Sequence, residues 1–110
     1  MATNAEQYDD LLTKVAAAGF IILAPRTCPL LFCGDDFSKD QLHAITYARD
    51  NGLSLDPVLA KADFSRIGIF GHSMGGAATL MSSANATANG IKVLSVLSVC
   101  ACLVCLVCVC

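Results

Sequence analysis

The chain has 110 residues, enough for one small domain, and balances seven basic side chains against nine acidic ones. That balance leaves no electrostatic footprint for nucleic acid, and an apolar share of 55% with eight Gly and three Pro excludes disordered and collagen-like chains. The average conceals an asymmetry: 17 of the last 20 residues are apolar, Lys92 is the only charge after Arg66, and five of the seven cysteines fall in the last eleven positions.

Taken in chain order, Met1–Glu6 has neither a basic start nor an apolar run, so no secretory signal is expected. Cys28 and Cys33 accordingly read as reduced thiols in an intracellular chain. Asn4 can cap a first helix whose apolar positions Tyr8, Leu11, Leu12, Val15 and Ala16 recur at helical spacing. Asp9 and Asp10 suit its positive end, and Gly19 supplies the stop. Phe20–Ala24 is a continuous apolar run, the pattern of a strand covered on both faces, and Pro25 ends it. Residues 26–37 read as a loop in which Asp35-Asp36 is a solvated pair.

Ser38-Lys39-Asp40-Gln41 has the form of a capping box, with the hydroxyl at the cap and the Gln amide three residues on. It predicts a second helix from Ser38 through Leu42, Ile45, Tyr47 and Ala48, closed by Asn51-Gly52. Residues 53–64 form a polar connection around Asp56-Pro57. Arg66–Phe70 is a second buried-type strand, residues 71–76 a glycine-rich turn, and 77–86 a helix of small residues ended by Asn89-Gly90. Ile91–Leu94 opens a third apolar run. The alternation of helix and strand predicts parallel strands joined by right-handed crossovers, hence an α/β sheet of about three strands. The division expected is a domain over residues 1–94 and a Cys-rich apolar tail over 95–110.

The chemistry-bearing motif is Gly71-His72-Ser73-Met74-Gly75, which fits G-x-S-x-G. The pattern gains its force from context, since a strand pattern runs directly into it and a helix pattern directly out of it. Ser73 then stands in a strained turn where flanking side chains at Gly71 and Gly75 would clash. The following helix start aims backbone N–H groups at the same place, with Met74 N–H the expected oxyanion donor.

The stretch Asp63–Leu80, with Arg66-Ile67-Gly68-Ile69-Phe70-Gly71-His72-Ser73-Met74-Gly75-Gly76 at its centre, resembles the nucleophile elbow of α/β-hydrolases of the cutinase and polyester-hydrolase type. Those are relatives of chlorophyllases and platelet-activating-factor acetylhydrolases. The Ala17-Ala18-Gly19-Phe20-Ile21-Ile22-Leu23-Ala24-Pro25 segment and the Asp40-Gln41-Leu42…Ala44…Tyr47 helix resemble the parts of that fold before its fourth strand and between its fourth and fifth. The resemblance spans residues 5 to 94. It implies a partial three-layer α/β sandwich and acyl transfer from a carboxylic ester, small or polymeric, to water. Ser73 would be the nucleophile, and no metal or cofactor would be needed.

The family's order places an acid and then a histidine after the serine. Here no Asp, Glu or His follows Ser73; the last acid is Asp63 and the last histidine is His72, inside the elbow itself. His72 is expected to pack near the site, and His43 to be an ordinary helix-surface histidine. The chain therefore reads as a serine-hydrolase piece holding the nucleophile without its base, inactive alone.

Val93–Cys110 carries no charge over 18 residues, enough for a spanning segment after Lys92, so membrane contact or acylation through the tail is one reading. The other is a low-complexity product that departs from the hydrolase pattern where its sixth strand starts. Cys100, Cys102, Cys105, Cys108 and Cys110 do not read as a metal site, because Ala, Leu and Val fill the gaps and no turn residue lets the thiolates converge. The Asn85-Ala86-Thr87 sequon has no secretory signal beside it.

Overall fold

The computed structural model describes residues 8–25, 34–99 and 104–109, with the backbone path only for 34–36, Leu53 and 104–109. Asn4, the expected cap, lies outside these residues, as do Cys28, Cys33, Cys100, Cys102 and Cys110.

The first helix, α1, runs Asp9–Ala17 with both aspartates in its first turn, and Gly19 follows at φ 94°. That left-handed conformation is free for glycine and costly for other residues, so the chain turns there into β1, Ile21–Leu23. The long α2 helix covers Gly34–Leu55, starting a turn before the expected cap and passing through Asn51-Gly52. Packing accounts for both differences. Phe37, 3% exposed, packs with Ala78 and half-buried Met74, which rewards helix before Ser38. Ser38 is buried within the helix and its carbonyl accepts the Ser82 hydroxyl at 3.1 Å. At the other end, a Cβ on Gly52 would lie 3.2 Å from Leu59 Cβ, so Gly52 lets the returning 3₁₀ turn Leu59–Lys61 pass close by rather than ending the helix.

The second strand, β2, spans Ile67–His72; α3 spans Met74–Asn85; β3 spans Val93–Val99; and β4 spans Val104–Val109. The sheet order is β1-β4-β2-β3. β2 and β3 pair in parallel, whereas β4 is antiparallel to both β1 and β2. The first three strands thus share one direction, as the alternation predicts, but β1 meets β2 only through β4. β4 lies outside that expectation, and the four residues between β3 and β4 are too few for a helical crossover. A short connection returns the chain antiparallel, whereas a parallel return needs a crossover. No helix among the described residues is long and apolar enough to cross a membrane.

The faces of β2 alternate as the period of a strand requires. Ile67, Ile69 and Gly71 are buried toward α2 and α3, while Gly68, Phe70 and His72 are half-buried on the face toward α1. The core joins Leu42 and Ile45 of α2 to Ile67 and Ile69, with Ala86 and Ile91 closing the end of α3. α1 buries none of its residues. Between it and the sheet lies an open apolar groove of about 820 Å³, walled by Leu11 and Val15 on one side and Phe70, Leu97 and Val99 on the other.

The entry to β2 is held by Asp63. Its Oδ1 accepts the Ser65 hydroxyl at 2.6 Å and the Ser65 N–H at 3.0 Å, and its Oδ2 lies 3.1 Å from Arg66 Nε. The Ser65 hydroxyl, then the Ser65 N–H, then Arg66 hold the carboxyl below its ordinary value. A depressed carboxylate stabilises the fold above its unfolded pKa, and that contribution is lost as pH falls through the folded one. Ser65→Ala is expected to move the Asp63 titration, followed by carboxyl NMR, upward toward the ordinary value; an unchanged midpoint would show that the hydroxyl is not the main cause.

Candidate active site

β2 delivers the chain to the elbow, α3 takes it away, and Ser73 is the hinge between them. Ser73 has φ 62° and ψ −121°, and among the described residues it is the one non-glycine at positive φ. Such a conformation costs roughly 1–3 kcal/mol and persists only where neighbours over-determine it. Two backbone bonds do so. Ser73 N–H donates to the Val99 carbonyl at 2.8 Å, and the Ser73 carbonyl accepts Ala77 N–H at 3.0 Å. One ties the turn to the end of β3, the other to the first turn of α3.

The turn is tight enough that backbone fills the space of side chains. A Cβ on Gly71 would lie 2.2 Å from the Gly75 carbonyl oxygen and 2.6 Å from Thr79 Oγ1. A Cβ on Gly76 would lie 2.7 Å from Ser98 Oγ and 3.2 Å from the Gly71 and Val99 carbonyls. The close contact with β3 therefore falls on Gly76, a residue that the motif reading leaves out, while Gly75 is buried and lends its carbonyl to the packing. Thr79 donates to that carbonyl at 2.8 Å and accepts Gln41 Nε2 at 3.3 Å. Both side chains are fully buried, so α2 braces the elbow from behind.

Ser73 N–H is engaged by Val99, and the start of α3 follows directly. Met74 N–H belongs to the first helical turn, whose N–H groups have no intrahelical carbonyl to bond, and the helix dipole adds to its pull on negative charge. Ser73 and Met74 are both half-buried, neither sealed nor fully open.

His72 leaves the turn on the opposite face. Its Nδ1 lies within hydrogen-bond distance of the Tyr8 hydroxyl, 2.6 Å across the groove, and the two rings meet edge to face at 5.9 Å. This contact joins residues 64 positions apart, and no local pattern announces it. His43 lies exposed on α2 and packs edge to face on Tyr47 at 6.4 Å. Among the described residues, neither histidine nor any carboxylate hydrogen-bonds the Ser73 hydroxyl, and no group of three His, Cys, Asp or Glu side chains could hold a metal ion. The structure thus gathers Gly71, His72, Ser73, Met74 and Gly75 into one turn, and adds Tyr8, Gly76, Thr79 and Val99 around it.

No curated protein and no solved structure matches the chain. A family model described as PET hydrolase-like matches residues 3–95. The match takes in α1, the whole elbow and the first residues of β3, and on that extent the chain belongs to the PET hydrolase-like family.

Proposed function

We propose that this chain carries the nucleophile half of a serine carboxylic-ester hydrolase. The observation that carries the reading is the strand–turn–helix at Ser73. A strained serine directly follows β2, which pairs in parallel with β3, and a helix start lies beside it. In that chemistry Ser73 Oγ attacks the ester carbonyl, its proton passes to a base, and the tetrahedral oxyanion is met by Met74 N–H. The alcohol leaves with a proton, and water then releases the acid from the acyl-serine. The family match supports an ester as the substrate, small or polymeric. The relation to chlorophyllases and acetylhydrolases belongs to the same proposal.

The step this chain does not complete is proton removal. No acid or histidine follows Ser73 in the sequence, and His72 is turned to Tyr8. Loss of the base costs on the order of 10⁶-fold in serine hydrolases. A non-catalytic product is therefore the reading for the chain acting alone, and the absent base is the feature that favours it. Residues 1–94 are the hydrolase part of this reading, and 95–110 the departure from it.

Added imidazole can stand in for a missing base. The test is p-nitrophenyl acetate hydrolysis by the chain and by Ser73→Ala over rising imidazole concentration, subtracting the second from the first. A Ser73-dependent increment that grows with imidazole is expected. Identical rates at every concentration would sink the nucleophile assignment.

A further inference from the structure

We propose that this chain pairs with a second copy of itself, edge to edge and antiparallel, through β3. Among the described residues the sheet ends at β1 on one side and β3 on the other, and the two edges differ sharply. β1 offers three half-buried residues with Pro25, which has no N–H, two positions on. β3 offers seven, all uncharged, of which six are exposed, including Leu94, Leu97 and Val99 at 56%, 57% and 46%. It bears neither the charged residues nor the proline with which natural edge strands block pairing.

The backbone selects the register. Val99 turns its carbonyl inward to Ser73 N–H, and strand geometry alternates the direction of these groups. Leu97 therefore also faces β2, and Val96 and Ser98 present their N–H and C=O groups outward. A two-fold axis at Leu97 pairs Val96 with Ser98 of the second copy and Ser98 with its Val96, forming about four N–H···O=C bonds. Leu97 then stands opposite Leu97 of the second copy, in the closer-spaced kind of antiparallel pair, and the two apolar grooves meet across the axis.

Charge selects the direction. Lys92 immediately precedes β3 and is the one charge near it in sequence. Parallel pairing in register would set the two lysines about 5 Å apart, whereas the antiparallel register separates them by ~34 Å. The antiparallel arrangement also closes on itself as a dimer, while pairing of β3 with β1 would propagate without end and use only the shorter edge.

An edge of this length buries less than ~1,200 Å², so association is expected in the micromolar range and above. The test is sedimentation velocity of the whole chain in reductant, from roughly 5 to 200 µM, the range suited to an interface of that size. The expected result is a shift from 11.5 kDa to twice that mass, with Val96 and Ser98 amide exchange slowing as concentration rises. Leu97→Lys and Val96→Pro are each expected to abolish the shift, and Leu80→Lys, on the exposed face of α3, to leave it intact. The Pro variant removes only an outward-facing donor at an edge, where proline is tolerated. A monomer at every concentration, a ladder of species beyond the dimer, or a dimer that survives both β3 variants would overturn the proposal.

Discussion

Gly71→Ala is expected to destabilise the chain by about 3 kcal/mol or more, as overpacking against rigid neighbours does. The added methyl would sit 2.2 Å from the Gly75 oxygen, 2.4 Å from the Gly75 carbonyl carbon and 2.6 Å from Thr79 Oγ1. None of these is the free end of a flexible side chain. The Gly75 carbonyl is built into the first turn of α3, and Thr79 is pinned between that carbonyl and Gln41. Relief would require α3 to lift from β2, breaking the burial of Ala78, Thr79 and Ser82 along one side of the helix. Against a total stability of about 5–15 kcal/mol the loss corresponds to a fall in Tm of roughly 10–20 °C, measurable by circular dichroism. A change below about 1 kcal/mol would mean that the elbow is looser than its contacts indicate.

The second large effect is expected in the core rather than at the turn. Ile45→Ala should cost about 2–5 kcal/mol, the range for emptying a buried aliphatic site. Ile45 is wholly buried where α2 meets Ile67, Ile69 and Ile91, and the cavity would open between helix and sheet. Leu80→Ala, at a residue 55% exposed on α3, should stay within about 0.5 kcal/mol in the same urea titration. Equal losses at the two sites would contradict the placement of the core between α2 and β2.

The strand, turn and helix around Ser73 are legible in the sequence because their requirements are local. A strand, a turn of glycines and a helix follow one another within about twenty residues, and each reads from its own pattern. α1 and its stop at Gly19 were legible for the same reason. Elsewhere distant packing overrides a local signal. Ser38 has the chemistry of a cap, but burial of Phe37 carries α2 back to Gly34. Asn51-Gly52 has the chemistry of a stop, but Leu59 uses the space that glycine leaves, and the helix runs on to Leu55. Gly76 meets Ser98 and Val99 of a strand more than twenty residues away, and Tyr8 meets His72 across 64. Neither contact has a spacing rule that would reveal it. The antiparallel placement of β4 between β1 and β2 follows from strand pairing, which hydrophobic patterning does not encode.

These same contacts fix how the site stands chemically. Ser73 is held in the strained turn by Val99 and Ala77, a helix N-terminus is beside it, and the nearest imidazole in sequence is engaged by Tyr8 on the other face. The strained turn and the helix start therefore meet at Ser73, and among the described residues no histidine or carboxylate hydrogen-bonds its hydroxyl. Backbone donors alone leave on the order of 10³–10⁴-fold acceleration over water in enzymes with a complete oxyanion hole. A single expected donor, Met74 N–H, supplies less.

The most direct measurement is the rate of p-nitrophenyl acetate hydrolysis in the absence of imidazole, by the purified chain and by Ser73→Ala at equal concentration. Equal rates, close to the buffer background, are the predicted result. A clear excess in the unsubstituted chain that disappears in Ser73→Ala would contradict the account, because it would require a base that neither the sequence after Ser73 nor the described structure supplies.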